Sequence, residues 1–347
     1  MYQHVLRPLL FRLDAEPAHE LAMAALSLVP PALARALRGR ARPSLGVDVA
    51  GLRFPNPVGL AAGLDKNGEA IVGLFGLGFG SVEVGTVTPR AQPGNDRPRL
   101  FRIPSEQALI NRMGFNNLGI AAMAEKLERV GFRPGPIGVN IGKNKDTPLE
   151  RALEDYVACA RALSPLADYV AVNLSSPNTP GLRTLQEPQV LERLLTAVRA
   201  EVKGRPVFLK IAPDLPDEAI DAVVEVALGT HTDGLICANT TLSRPFEHPL
   251  AKEAGGLSGK PLRARSTEVV RRAFARAQGR LPIIGVGGIF DGDDAWEKIC
   301  AGASLVQLYT GFVYGGPSVV GRVLDTLETK LHAAGLDSLA KAVGRSV

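Results

Sequence analysis

The sequence predicts an α/β protein: one parallel (β/α)8 TIM barrel carrying a small N-terminal helical appendage. Three observations carry that prediction. Eight short apolar runs recur from Val58 to Leu308. Segments of helical period separate them. Polar residues crowd the ends of the runs and are missing from their starts, the pattern expected where barrel strands deliver side chains to one rim. A chain of 347 residues has room for such a barrel plus an appendage. A doubly wound sheet is the rival, but it more often carries an early G-x-G-x-x-G turn, and none follows the first run.

Residues 1–42 differ from the rest. They are rich in Ala and Leu and hold six arginines against three acids. Their longest uncharged stretch, Leu21 to Ala34, is 14 residues and contains Pro30-Pro31. A membrane-spanning helix needs about 20 apolar residues. Asp14, Glu16 and Glu20 interrupt the early apolar region, which argues against a secretory signal. Short amphipathic helices are expected instead. One starts at Asp14 or Glu16 with Pro17 and places Leu21, Ala25 and Leu28 on one face. After the proline break, a second carries Leu33 and Leu37. Such helices pack on the main domain or lie in a bilayer interface. The apolar start (Val5, Leu6, Leu9, Leu10, Phe11) and the arginines give the second role equal weight.

The barrel follows, in residues 43–347. Its runs cover 58–62, 80–84, 136–140, 169–173, 207–210, 234–237, 282–286 and 304–308. Between the second and third, Asn117 to Gly131 predicts a helix with Ile120, Met123, Ala124 and Leu127 on one face, Asn117 at its start and Gly131 at its end. The chain between runs two and three, and between six and seven, is too long for one helix. Both stretches are expected to hold extra loops or small strands over the barrel mouth.

Composition narrows the function. Hydrophobic residues make up 46% and charged residues 22%, as in an ordinary globular protein. The net charge of +5 comes without an aromatic-interleaved basic stripe, so no nucleic-acid partner is expected. Cys159, Cys237 and Cys300 form no CxxC pair. That points away from zinc and iron–sulfur sites and toward buried thiols in a reducing compartment.

The strand ends hold the chemistry. Gly63-Leu64-Asp65-Lys66-Asn67 follows the first run, and Gly85, Thr86 and Thr88 the second. The third ends in Asn140, the fourth in the amide- and hydroxyl-rich Asn173 to Arg183, the fifth in Lys210 and the sixth in Asn239-Thr240-Thr241. One polar strand end is routine helix capping. A whole rim of them is not, and lysines do not cap helix N-termini. After runs seven and eight, Gly287-Gly288 and Tyr309-Thr310-Gly311 leave backbone N–H groups for an anion, where barrels recurrently hold phosphate. A phosphate there and amides over the mouth suggest a planar cofactor with a phosphate tail, and flavin mononucleotide (FMN) fits. Lys210 could stabilise the negative charge of reduced flavin. The alternatives are an ion pair with a strand-end acid such as Asp65, or a Schiff-base lysine in a phosphosugar isomerase or aldolase.

The motifs AAGLDKNG (ending at Gly68), EVGTVTP (83–89), NRMGFNN (111–117), NLSSPNTPGLR (173–183), LKIAPDL (209–215), ANTT (238–241), GGLSGKPL (255–262) and GVGGI (285–289) occur in this order. With them the chain resembles the membrane-associated, quinone-dependent class of the dihydroorotate dehydrogenase family, from about residue 2 to about 335. The resemblance implies oxidation of dihydroorotate to orotate in pyrimidine biosynthesis, with FMN and then a membrane quinone (ubiquinone or menaquinone) as acceptors. It implies FMN contacts from Ala62, Gly63, Leu64, Asp65, Lys66, Thr86, Asn140, Asn173, Lys210, Ala238, Gly259, Gly288, Tyr309 and Thr310. It implies substrate contacts from Lys66, Asn111, Arg112, Met113, Gly114, Phe115, Asn173, Asn178, Asn239 and Thr240. Ser176 matches the family's catalytic base; the soluble class has cysteine there. His19 and Arg102 match positions lining a quinone tunnel beneath the N-terminal helices. A monomer is expected, held peripherally on the cytoplasmic side of a bacterial inner membrane.

Overall fold

The computed structural model describes residues 2–347. Its centre is a closed barrel of eight parallel strands in sequence order: β1 (Val58–Leu60), β2 (Ser81–Val87), β3 (Ile137–Ile141), β4 (Tyr169–Asn173), β5 (Val207–Ile211), β6 (Gly234–Cys237), β7 (Ile283–Val286) and β8 (Leu305–Leu308). Each coincides with a predicted run. The strands are continuous apolar stretches because helices cover their outer faces and side chains fill their interior. All five β4 residues are buried, and so are those of β3 and β5.

Register sets the rim. Asn173 lies opposite Lys210, and Gly85 opposite Asn140. Parallel pairing therefore brings side chains dozens of residues apart in sequence to the same C-terminal edge. The barrel interior is packed to contact. A Cβ on Gly138 would fall 2.0 Å from the Tyr169 ring, so only glycine lets that ring lie across the strand. Tyr169 meets Phe208 edge to face at 5.3 Å.

Both over-long connections contribute to one cap. Strands Leu100–Ile103 and Ala108–Asn111 come from the first, and Gly256–Gly259 from the second. They form a three-stranded antiparallel sheet over its own small core of Ile103, Ala108, Ile110 and Leu257. The expected helix before β3 spans Gly119–Glu128. Met123 and Leu127 are buried, and the Asn117 Oδ1 accepts the Gly119 N–H at 2.8 Å.

The N-terminal segment holds a π-turn at Tyr2–Leu6, a short helix at Arg7–Leu10, and two longer helices, α1 (Ala15–Ser27) and α2 (Pro31–Leu37). The chain turns by 102° between α1 and α2, around the prolines. No single helix among the described residues is long and apolar enough to cross a membrane. The segment touches the barrel through few side chains. Glu16, Ala18, Met23 and Ala34 are buried, whereas Leu21, Leu33 and Leu37 are about half exposed and Leu28 is 81% exposed. Polar ties complete the docking. Arg99 hydrogen-bonds Glu16 at 2.7 Å, Arg42 pairs with Asp325 and Glu328 of the last helix, and Arg102 donates to the Leu10 and Leu13 carbonyls.

Candidate functional site

A cavity of about 980 Å³, its open mouth included, lies at the C-terminal rim under the cap sheet. Its wall gathers Ala62, Gly63, Lys66, Thr86, Asn111, Met113, Gly114, Phe115, Asn173, Ser176, Asn178, Lys210, Ala238, Asn239, Thr240, Gly259, Gly288, Tyr309 and Thr310. These nineteen of the residues singled out above come from all but one of the eight strand ends and from the cap. The third strand end, Asn140, lies just beneath.

A buried polar network forms the floor. Glu83 on β2 accepts from Asn140 Nδ2 at 2.9 Å, from the Tyr169 hydroxyl at 3.1 Å and from Gln307 Nε2 at 2.7 Å. Asn140 Oδ1 accepts from the Thr86 hydroxyl at 2.6 Å and from Asn173 Nδ2 at 3.1 Å. Asn173 Oδ1 accepts from the Ser175 hydroxyl, and Asn239 Nδ2 donates to Ser175 Oγ at 2.9 Å. Each amide is locked by a neighbour, which fixes what it offers the cavity.

Three buried polar atoms on this wall have no partner among the described residues: Asn178 Oδ1, Thr240 Oγ1 and Gln307 Oε1. Buried polar groups are normally paired, so orphans clustered on one cavity mark where a ligand with donors and acceptors fits. A second set is on the backbone. Among the described residues, the N–H groups of Gly287, Gly288, Thr310 and Gly311 find no acceptor. All four line the cavity, and such convergent N–H groups suit an anion. A Cβ on Gly288 would lie 2.4 Å from Arg263 Cα, and its φ of +72° disfavours any L side chain.

The two lysines differ in setting. Lys210 is 4% exposed, and its pKa is lowered by burial against the opposing charge of Glu83. Glu83, not Asp65, is thus the acid that balances Lys210. The Asp65 carboxylate accepts the Glu69 and Ala70 N–H groups, both at 2.9 Å, and holds the turn after β1. Lys66 lines the cavity mouth; burial pushes its pKa down to about 8, Glu16 and Asp65 opposing the fall and Arg99 adding to it.

Four expected contact residues lie off the cavity wall. Leu64 belongs to the hydrophobic core, and Asp65 caps its own turn. Asn140 is in the floor network, one layer down. Arg112, just past the end of the Ala108–Asn111 strand, pairs with Glu253 at 2.6 Å and lies over the Phe101 ring. The tunnel candidates do not share a cleft. His19 on α1 lines a second cavity with Glu16, Met23, Leu64, Lys66 and Met113. Lys66 and Met113 form the partition between the two cavities. Burial, with help from the Lys66 charge, pushes the His19 pKa down to about 4, so its imidazole is neutral at physiological pH. Arg102 sits instead over the Phe11 ring at 4.5 Å, against the first turns of the chain.

Sequence reasoning missed Glu83 and Gln307. Each was visible as a lone polar residue inside an otherwise apolar run, at Val82-Glu83-Val84 and Val306-Gln307-Leu308.

Fold and cavity define a (β/α)8-barrel enzyme with an anion cradle after its last two strands. The profile of the family described as "Dihydroorotate dehydrogenase" matches residues 44–331. Among bacterial relatives, the Myxococcus xanthus protein is 58% identical, over 97% of this chain and 96% of its own, and is named dihydroorotate dehydrogenase (quinone). The Anaeromyxobacter dehalogenans protein of the same name is 56% identical, over 98% and 95%. The Xanthomonas oryzae protein, again of that name, is 52% identical, over 96% and 98%. Among solved structures, the ligand-free DHODH of Eimeria tenella superposes with a TM-score of 0.89 at 41% identity, over 96% of this chain and 99% of that one. The same protein in complex with ferulenol gives 0.88 at 40% identity, over 96% of both. This chain belongs to the dihydroorotate dehydrogenase family.

Proposed function

We propose that this protein oxidises dihydroorotate to orotate in pyrimidine (UMP) biosynthesis, using FMN and passing the electrons to a membrane quinone. The observation that carries the reading is the two-ended cavity: the orphaned Asn178 Oδ1 and Thr240 Oγ1 at one end, free backbone N–H groups at the other. The first end suits a cyclic diamide carboxylate, the second a phosphate.

When bound, FMN supplies the two-electron acceptor for the substrate's C6 hydride. The chain does the rest. Lys66 binds the substrate carboxylate, and Asn111, Asn173, Asn178, Asn239 and Thr240 pair with its amide edges, donor to acceptor. Met113, Gly114 and Phe115 close over the ring. Ser176 removes the C5 proton. A serine is a weak base. Its Oγ accepts the Asn178 N–H at 3.2 Å, a donor that also stabilises the deprotonated oxygen. No carboxylate or imidazole hydrogen-bonds Ser176 among the described residues. Lys210 faces the cavity with its charge balanced by Glu83 beneath, ready to meet negative charge from above.

Residues 1–42 form the membrane-association and quinone-access segment. Val5, Leu6, Leu9, Leu13, Leu21, Leu28, Leu33 and Leu37 are all exposed, whereas only four large apolar side chains are exposed in the rest of the chain. Each exposed leucine forgoes part of the roughly 1.5–3 kcal/mol that full burial contributes. Interleaved arginines complete a surface suited to an anionic bilayer interface, the inner membrane of a bacterium on its cytoplasmic side. His19 and the cavity it lines lie between this surface and Lys66.

An absorbance spectrum of the purified protein, before and after anaerobic dihydroorotate, tests the reading. A yellow protein that bleaches with dihydroorotate and recovers with a ubiquinone or menaquinone analogue supports it. A colourless protein refutes the flavin, and recovery with fumarate but not quinone refutes the acceptor.

A further inference from the structure

Behind the anion cradle lies a lysine that none of the preceding chemistry uses. Lys298 is on the helix Gly292–Cys300, which packs between β7 and β8, and its side chain is 0% exposed. Its Nζ donates to Ser266 Oγ at 2.7 Å and Thr267 Oγ1 at 3.0 Å. It has no carboxylate partner among the described residues. Of the three acids on its own helix, Asp294 and Glu297 pair with Arg263 at 2.6 Å and 2.5 Å, and Asp293 pairs with Lys330 at 2.7 Å. A buried ammonium held only by hydroxyls is costly unless an anion is near.

The hydrogen bonds lead to where that anion belongs. Ser266 Oγ lies 2.9 Å from the Gly287 carbonyl and 3.0 Å from the Arg263 carbonyl, and its one proton is shared between these two acceptors. In a trans peptide the carbonyl and the following N–H point in opposite directions. Holding the Gly287 oxygen against Ser266 therefore turns the Gly288 N–H toward the cavity, where it has no protein acceptor. The aliphatic stem of Lys298 lies under the same strand: a Cβ on Gly285 would meet its Cγ and Cδ at 2.7 Å.

We propose that Lys298 is a positioning residue for the phosphate of the bound cofactor: through Ser266 it orients the Gly288 N–H, and its charge is the buried counter-charge to the phosphate. The inference rests on the FMN reading. It assigns the lysine no contact with the phosphate. Without an anion, burial pushes the Lys298 pKa down to about 7; Glu297, Asp294 and the Cys237 thiol oppose the fall, and Arg263 adds to it. Of these neighbours, Arg263 stays charged and burial pushes the Cys237 thiol up to about 12. A phosphate raises the lysine's pKa, so binding takes up a proton above pH 7. Affinity then falls by up to about tenfold per pH unit between the free and bound pKa values.

The test is the affinity of the full-length protein for FMN and for riboflavin, which lacks the phosphate. Diluted holoprotein, read by the fluorescence of released flavin, reports the first; added riboflavin reports the second. Lys298→Met keeps the volume and removes the charge. The expected result is FMN binding weakened by about tenfold or more, riboflavin binding changed by less than about twofold, and loss of the alkaline fall in FMN affinity. Thermal stability without flavin is expected to hold or rise, where a merely structural lysine would lower it. Ser266→Ala cuts the relay but keeps the charge, and is expected to show a smaller loss of FMN preference, a readout that stands even if Lys298→Met does not fold. Equal losses for both flavins, or an unchanged pH slope, overturn the proposal. If the wild-type protein binds riboflavin and FMN equally, the phosphate cradle is wrong and the proposal falls; if it binds neither, the flavin reading itself has failed.

Discussion

The barrel rim and the N-terminal segment solve opposite problems. At the rim, Asn140, Asn173, Ser175 and Lys210 are each at most 4% exposed, and the Asn140 and Asn173 amides are paired before any ligand arrives. In the segment, Leu28 is 81% exposed, and the helices are held by Met23, Ala34 and a few arginine contacts. The rim spends its hydrogen bonds on fixing geometry. The segment leaves its apolar face for something outside the chain. The rim is thus fixed in geometry by the fold itself, whereas the apolar face of the segment is left uncovered by it.

The largest expected effect breaks the rim. Ser176→Ala should slow flavin reduction by dihydroorotate about 10²- to 10⁴-fold while FMN stays bound, since the base alone is lost. Anaerobic stopped-flow absorbance measures it, and a near wild-type rate removes Ser176 from the proton step. The segment is broken by Leu21→Glu, Leu28→Glu and Leu33→Glu together. Each exchange forfeits about 1.5–3 kcal/mol of apolar burial in a bilayer. Sedimentation with vesicles containing anionic lipid should fall sharply, and turnover with a membrane-dissolved quinone with it, at an unchanged rate of flavin reduction. Retained sedimentation would mean that this face is not the membrane face.

The smallest effect sharpens the comparison, because Glu16 and Lys66 join the two regions. Lys66 must be protonated to hold a carboxylate, and its pKa is lowered to about 8. The KM for dihydroorotate should therefore be flat below that pH and rise about tenfold per unit above it. Glu16, on α1, opposes the fall in that pKa. Glu16→Gln removes the opposing charge, so the inflection should move to lower pH. A pH–KM profile identical to wild type would show that α1 exerts no electrostatic influence on the substrate end.

Much of this was legible from the chain. The eight runs were readable because strands buried on both faces need uninterrupted apolar residues. Their polar ends were readable because barrels put function at one rim. The cap was legible only as excess length, since Leu100–Ile103 pairs with Ala108–Asn111, and that strand with Gly256–Gly259 from nearly 150 residues further on. Arg112 stands off the cavity wall because it follows Asn111, the last residue of its strand, and pairs with Glu253. The acid balancing Lys210 proved to be Glu83 because barrel curvature, not sequence distance, decides which charges face each other.

By itself the sequence determined the order of elements, the rim chemistry and the family, since these depend on local pattern and residue type. Only the tertiary structure decided that Lys66 divides two cavities, that α1 and α2 leave their leucines outside, and that Lys298 stands behind the Gly287-Gly288 turn. Those are relations between surfaces brought together by packing, and packing is resolved only when every element competes for the same buried space.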